Sequence, residues 1–391
     1  MRNRVSGWFR PSHLSAGFIV VLVGYTSSAA IIFEAARAAG GSPAEVASWL
    51  WALGIGMGLT CIGLSLYFRA PVLTAWSTPG AALLATGLHG VPMDQAIGAF
   101  LFASTLAVVV GFSGGFERIM HRIPRALSAA MLAGVLLEFG LDVFSTLAQH
   151  RILVGTMLLV FLLARQRLPR YAIALTLLGG LAVAAGQGSV QLQDVQLQFA
   201  HPVFTTPTFS LPVLLGVGLP LFIVTMASQN MPGLAVLGAN GYKVPASPLI
   251  GWTGLTGLAL APFGGFSFNL AAITAAICMS PDADPDASMR YRAAVWAGVF
   301  YLILGVLGAT VASLLTAIPH ALVVAIAGLA LLGTIGNSLG NALSDTEDRD
   351  AALFTFLVTA SGLSLFGIGS AFWGLVLGLL VHWLRSGEAK K

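Results

Sequence analysis

Apolar residues in this chain gather into fourteen blocks, running from one centred near Val21 to one centred near Leu375, with short polar links between them. A helix needs about 20 mostly apolar residues to cross a bilayer, so each block has the length of a span or nearly so. Only 9 % of the 391 residues are charged, against about 25 % in an ordinary soluble domain. A chain so poor in charge cannot cover a water-facing surface, which excludes a soluble globular protein. The blocks carry no three- or seven-residue repeat, which excludes collagen and coiled coil. The sequence predicts an all-α polytopic membrane protein.

Two blocks, Pro71–Leu88 and Pro262–Met279, are interrupted by proline or glycine among polar residues. Charge placement decides whether they cross. With all fourteen counted and the N-terminus inside, seventeen of the 19 basic residues fall on the inner side, and only Arg37 and Arg151 fall outside. Lys and Arg accumulate in cytoplasmic loops, so both interrupted blocks count as spans and both termini are expected in the cytoplasm. Arg2, Arg4 and Arg10 before an apolar stretch also fit a signal peptide, but no hydrophilic mature domain follows. The net charge of +4 is scattered at span ends, so no nucleic acid is expected as a partner. Cys61 and Cys278 lie within apolar runs and the histidines share no spacing. Neither a disulfide nor a metal site follows, and no cofactor is implied.

The one long outer segment, Gln187–Phe209, has no basic residue. Its Val-Gln-Leu-Gln alternation from Val190 and again from Val195 predicts a short amphipathic strand. It falls near mid-chain, where a linker between two halves belongs. Ile123-Pro124-Arg125-Ala126-Leu127 recurs 195 residues later as Ile318-Pro319-His320-Ala321-Leu322, and Gly111 and Gly114 recur 194 residues later as Gly305 and Gly308. Chains rich in Ala, Gly and Leu produce chance matches; the shared offset along the order of spans is what carries the reading. Seven spans is an odd number, so a second set of seven sits inverted. Inverted repeats with interrupted helices at matching positions mark secondary transporters, with the substrate near the midplane.

In the third span, residues before proline avoid the helical region, so Val72–Trp76 reads as a short strand. Thr78 suits an N-cap and Pro79 the first helical position. A half-helix then begins in mid-membrane, with its free N–H groups and positive dipole end turned into the protein. The tenth span repeats the device: Gly264-Gly265 relaxes the chain, Ser267 caps, and a helix is expected from about Asn269. Two opposed helix starts, at Ser77, Thr78 and Gly80 and at Ser267–Asn269, would receive an anion without lysine or arginine. A pair of kinked structural helices is the alternative. Trp76 and Phe268 flank the caps and suit a flat apolar ligand.

Polar residues inside the first and eighth spans complete the predicted substrate site: Tyr25 and Ser28, then Gln229 and Asn230. Unpaired amides are costly in lipid, so these side chains are expected to face the bundle, unless they serve as hydrogen-bonded glue between helices. Glu138 lies near mid-depth of the fifth span, roughly 18 Å from Ala126 at 1.5 Å per residue. A mid-membrane acid is a functional residue by default, which makes Glu138 the proton-coupling candidate, with a purely structural pairing as the alternative.

Four stretches, Thr74-Ala-Trp-Ser-Thr-Pro-Gly-Ala-Ala, Met226-Ala-Ser-Gln-Asn-Met-Pro-Gly, Asn269-Leu-Ala-Ala-Ile-Thr-Ala-Ala-Ile-Cys and Val358-Thr-Ala-Ser-Gly-Leu-Ser-Leu-Phe-Gly-Ile-Gly-Ser-Ala-Phe-Trp-Gly, strongly resemble the benzoate:proton symporter (BenE/YdcO) family of bacterial inner-membrane proteins. That family is distantly similar to uracil permeases and to sulfate and bicarbonate carriers. The resemblance implies fourteen spans in a seven-plus-seven inverted repeat. It implies a core domain from residues 1–116 and 210–317, a gate domain from 117–187 and 318–391, and a periplasmic linker at 188–209. It further implies import of an aromatic carboxylate with protons by elevator-like movement of core past gate, and it allows a homodimer. Where uracil permeases carry acids, this chain has Gln229 and, near the tenth-span position, Phe268 and Asn269; acids there would repel a carboxylate. Another small-anion or nucleobase carrier, or an anion channel, is the alternative; no nucleophile–base pair suggests an enzyme.

Overall fold

The computed structural model describes residues 10–116, 124–191, 195, 197–272 and 274–388. The chain runs α1 (Pro11–Ala38), α2 (Pro43–Phe68), β1 (Thr74–Trp76), α3 (Thr78–Gly87), α4 (Met93–Phe112), α5 (Arg125–Gln149), α6 (Arg151–Arg167) and α7 (Ala172–Gly186). The second half holds α8 (Leu211–Ala239), α9 (Ala246–Leu260), β2 (Phe268–Leu270), α10 (Ala275–Met279), α11 (Tyr291–Val306), α12 (Gly308–Ala317), α13 (His320–Ser344), α14 (Arg349–Ala360) and α15 (Ser370–Glu388). Six of these, α1, α2, α4, α5, α8 and α13, are long and apolar enough to cross a membrane among the described residues. The segment leading into α11 and the α12 that follows pass the same test together and bend by 67°.

Local chemistry accounts for the starts and stops. Ser42 accepts the Glu45 N–H while the Glu45 carboxylate takes the Ser42 N–H, a capping box with Pro43 at the first turn of α2. At its other end α2 stops on Arg69, one of two non-glycine residues in left-handed backbone among the described residues. Helices then pack on small residues. The backbone of α2 at Gly54 comes so close to Gly305 of α11 that a β-carbon would overlap it, the close approach by which small residues substitute for a hydrophobic drive between helices in lipid. Extensive packing joins α5 to α13 and α14, α14 to α15, α4 to α9, and α2 to α11 and α12.

One end of α1 is tied down by charge. The fully buried His13 Nε2 and the Asp284 carboxylate lie 2.7 Å apart, and Arg10 donates to the same oxygen at 2.9 Å. The Asp286 N–H serves the second carboxylate oxygen, and Arg290 donates to the carbonyls of Asp284 and Met279. Burial pushes the Asp284 carboxyl up, but the Asp286 N–H, His13 and Arg10 outweigh it and hold it below the ordinary carboxylate value. This cluster anchors the chain leaving α10 to the start of α1.

No strand forms at the described positions between Val190 and Gln198; Leu192, Gln193 and Gln196 lie outside the described residues. Instead the linker is pinned singly: Gln191 N–H donates to the Ala317 carbonyl, and Gln198 exchanges two hydrogen bonds with the Thr310 hydroxyl. A lone segment with no partner strand has nothing to complete a ladder, so alternation alone does not make a strand. Arg118 and Arg122, two of the seventeen basic residues expected on the inner side, and Ile123 of the repeated motif also lie outside the described residues.

Candidate functional site

The two interrupted segments meet. β1 pairs antiparallel with β2, with Thr74 opposite Leu270, Ala75 opposite Asn269 and Trp76 opposite Phe268. The ladder extends one step, since Ala271 N–H donates to the Leu73 carbonyl at 2.9 Å. Irregular backbone at membrane depth survives only where it is buried and its polar groups are satisfied, and each strand supplies the other's partners. Thr74 is further held by the Thr60 hydroxyl at 2.6 Å and by Cys61.

The sequence predicts Thr78 as the cap of the first half-helix; in the structure Ser77 holds that position. Its hydroxyl accepts the Gly80 N–H at 3.0 Å and its carbonyl the Ala81 N–H at 2.7 Å. The helix starts one residue earlier than the proline rule suggests, with Thr78 its first residue and Pro79 its second. Pro79 has no N–H, and Ser77 takes those of Gly80 and Ala81. The half-buried Thr78 therefore presents the helix end's open donors, its N–H and its hydroxyl.

The second segment departs from expectation. Asn269 lies in β2, not at a helix start, and α10 begins at Ala275 and spans five residues. Ser267 caps nothing; its hydroxyl meets that of Thr225 at 3.1 Å. Gly264, in left-handed backbone at φ 95°, turns the chain, and pairing with β1 keeps Phe268–Leu270 extended. The site is thus asymmetric, one capped half-helix facing a strand.

The predicted ligands fall into distinct roles. Trp76 Nε1 donates to the Ser28 hydroxyl at 2.8 Å, and Ser28 donates to the Gly24 carbonyl. Tyr25 packs edge-on against Trp76 with ring centres 4.7 Å apart, its hydroxyl buried without a hydrogen bond among the described residues. Phe268 lies over Gly56, where a β-carbon would overlap the ring. The Asn230 amide oxygen takes the Leu270 N–H at 2.9 Å and its nitrogen lies 3.3 Å from Met226 sulfur, so Asn230 holds β2 in place. Gln229 is half-buried on the same turn. Asn269 is fully buried, and neither its amide oxygen nor its nitrogen finds a partner among the described residues.

Two features escape sequence reading. α8 widens into π-helical turns at Leu214–Gly218 and Met226–Asn230, a distortion frequent at functional sites; Pro220 and Pro232, each just after one of them, are the signal in the sequence. Beside Ser267 and Phe268 lies a cavity of about 20 Å³ lined by Ser104, Thr225, Thr253 and apolar neighbours, with no ionisable side chain. It has room for a water molecule, not for an aromatic ring. A second cavity, of about 340 Å³, opens between α1, α3, α5 and α13 and is lined by Glu34, Arg37, His89, Glu138, Asp142 and His320. Its volume falls in the range of small-molecule sites. Glu138, exposed on α5, faces this cavity rather than the strand crossing.

Comparison with known proteins fits this architecture. The family described as benzoate membrane transport protein (BenE) matches residues 7–384. The chain belongs to the BenE family. Inner membrane protein YdcO of Escherichia coli (strain K12) is 51 % identical over 368 residues, 94 % of each chain. The benzoate membrane transport protein of Acinetobacter baylyi is 38 % identical over 369 residues, again 94 % of each. BenE proteins are membrane transport proteins rather than enzymes. Among solved structures, the murine Solute Carrier 26 family member A9 anion transporter in its inward-facing state superposes with a TM-score of 0.57 at 12 % identity, over 95 % of this chain and 68 % of that one. The transmembrane domain of the cyanobacterial bicarbonate transporter BicA gives 0.54 at 11 % identity, over 96 % and 97 %. The fold is that of this group of membrane transporters.

Proposed function

We propose that this chain is a secondary active transporter of the bacterial inner membrane that imports benzoate or a closely related aromatic carboxylate together with protons. The observation that carries the reading is its 38 % identity, across nearly the whole length, to a protein named for benzoate transport. The chemistry of the strand crossing supports it. Amides, hydroxyls and rings gather there without a carboxylate, and a carboxylate guest is repelled by none of them. Its oxygens meet the Thr78 N–H and hydroxyl and the Asn269 amide; its ring lies by Trp76 and Phe268; Gln229 and Gly80 border the space, and Ser28 fixes the Trp76 indole.

In this reading the chain makes fourteen spans in two inverted sets of seven, with both termini in the cytoplasm. α1–α4 and α8–α12 with the paired strands form a core that slides past a gate of α5–α7 and α13–α15, as in an elevator. Packing of α5 on α13 and α14, and of α2 on α11 and α12, supports the division. The 340 Å³ cavity lies along the seam, and its acids, Glu138 among them, handle the proton. The small cavity beside Phe268 widens for a ring when the π turn at Met226–Asn230 shifts. Homodimerisation belongs to the same reading.

The test is uptake of radiolabelled benzoate into proteoliposomes under an inward proton gradient. Saturable uptake, competed by substituted benzoates and indifferent to excess sulfate, bicarbonate or uracil, is expected. Uptake blocked by one of those three instead would reassign the substrate, and conductance without saturation would make the protein a channel.

A further inference from the structure

Away from the strand crossing, two titratable side chains face each other across the seam. Glu34 on α1 lies 3.5 Å from His320 Nε2 at the start of α13. One Glu34 oxygen is shut off from solvent and makes no hydrogen bond among the described residues, while His320 is largely exposed. At this separation the two form a charge contact rather than a hydrogen bond. Both line the 340 Å³ cavity. The other charged or titratable groups facing it are Arg37 on α1, packed over the Phe33 ring, His89 after α3, and Glu138 and Asp142 on α5.

The inference rests on the proton-coupled reading above. If the core moves and the gate stays, a proton that crosses with the substrate must ride on the core. Glu138 and Asp142 belong to α5, on the gate. Of the three acids in the cavity, Glu34 alone sits on a core helix. We propose that Glu34 carries the coupled proton and that His320 marks its outer station.

Charge balance gives the assignment its physical sense. The empty core travels with Glu34 as a carboxylate; the loaded core travels with Glu34 as the neutral acid and the substrate as a carboxylate. The net charge of the core, its Arg37 included, is thus the same on both strokes. Desolvating an additional charge is costly in a membrane, and this arrangement never asks for it. The proton arrives from the outer solution through the cavity, where Glu138 and Asp142 favour cations, and bonds to a Glu34 oxygen. Its arrival removes the Glu34 charge that faces His320 and frees α1 from α13. When the core has moved inward and the inner solution reaches Glu34, the same O–H bond breaks and the proton leaves.

The experiment measures benzoate uptake in proteoliposomes with the pH gradient and the membrane potential set separately. Wild-type protein should accumulate benzoate about tenfold per unit of gradient, the equilibrium for one proton per anion, and ignore the potential. Glu34→Gln should lose gradient-driven accumulation, keep benzoate–benzoate exchange, and become sensitive to an inside-positive potential, because the loaded core now carries a charge the empty one lacks. Glu34→Asp should retain gradient-driven accumulation. Gradient-driven, potential-insensitive accumulation by Glu34→Gln would overturn the proposal. So would loss of exchange in both Glu34→Gln and Glu34→Asp, which would make Glu34 structural. A wild-type protein indifferent to the gradient would sink the proton-coupled reading itself, a separate outcome. His201→Gln, in an exposed loop, serves as the unaffected control.

Discussion

The two interrupted segments meet in one ladder yet are built differently. After β1 the chain enters a ten-residue helix at once, capped by Ser77. After β2 the next helix among the described residues is one of five residues at Ala275. The first segment is rigid because its bonds are local, Ser77 to Gly80 and Ala81. The second is held from outside, by the glycine turn against Trp49, by Asn230 on the Leu270 N–H and by Thr225 on Ser267. One side of the site is thus a fixed dipole end, and the other is a strand whose position depends on α8. In a carrier the second is the side able to respond to a ligand.

The largest expected effect comes from removing the glycine on which the second segment turns. Gly264 has φ 95°, and a β-carbon there would overlap the Trp49 ring. That ring is fully buried between Phe100 and Phe266 and cannot retreat. Gly264→Ala combines left-handed strain with overpacking, about 1–3 kcal/mol from the latter alone. A marked loss of folded, monodisperse protein in detergent is expected by fluorescence-detected size exclusion. At Gly80 in the first segment the backbone is not left-handed, and the new atom meets a Leu221 methyl 2.7 Å away, which can give way. It also meets the Ser77 hydroxyl and β-carbon at 2.8 and 2.9 Å, so smaller damage is expected. Equal damage at both positions would erase the contrast.

A finer comparison sets Asn230 against Asn269, two buried amides with opposite circumstances. Asn230→Ala strips the Leu270 N–H of its partner, and an unsatisfied buried group costs about 1–3 kcal/mol. Its melting temperature should fall. Asn269→Ala removes an amide that no described residue satisfies, so thermal stability should hold or rise while benzoate uptake drops. The check is a melting curve beside an uptake assay for each variant. If Asn269→Ala melts lower and transports normally, the amide is structural and the substrate site lies elsewhere.

How far these details were legible in the sequence follows from where the information sits. Pro71, Pro79 and the Ser77-Thr78 pair act within a few residues of themselves, and reading them places the first half-helix within one position. In the tenth span the deciding partners are remote: Leu73 takes the Ala271 N–H, and Asn230 takes that of Leu270. Local propensity in Asn269-Leu-Ala-Ala favours a helix, and cross-strand pairing overrides it. The same limit explains Ser28 and Trp76, whose mutual hydrogen bond joins residues 48 apart in sequence. The acid Glu138 stands out from sequence alone, but its neighbours Glu34 and His320 become one group only when α1 and α13 are brought side by side.

The smallest expected effect tests the local half of the comparison. Ser77→Ala removes the hydroxyl that accepts the Gly80 N–H, and loss of such a cap typically costs about 1 kcal/mol. Because Ser77 also gives its carbonyl to Ala81, the half-helix keeps its first internal bond and should persist. The melting temperature should drop by a few degrees at most. The freed Gly80 N–H would add a donor at the helix end, next to that of Thr78. If this end receives the carboxylate, benzoate affinity should hold or rise slightly while stability falls, a divergence that a purely structural cap would not produce. Parallel decline of both would mean that Ser77 only shapes the helix, and would shift the weight of anion recognition to the Asn269 side.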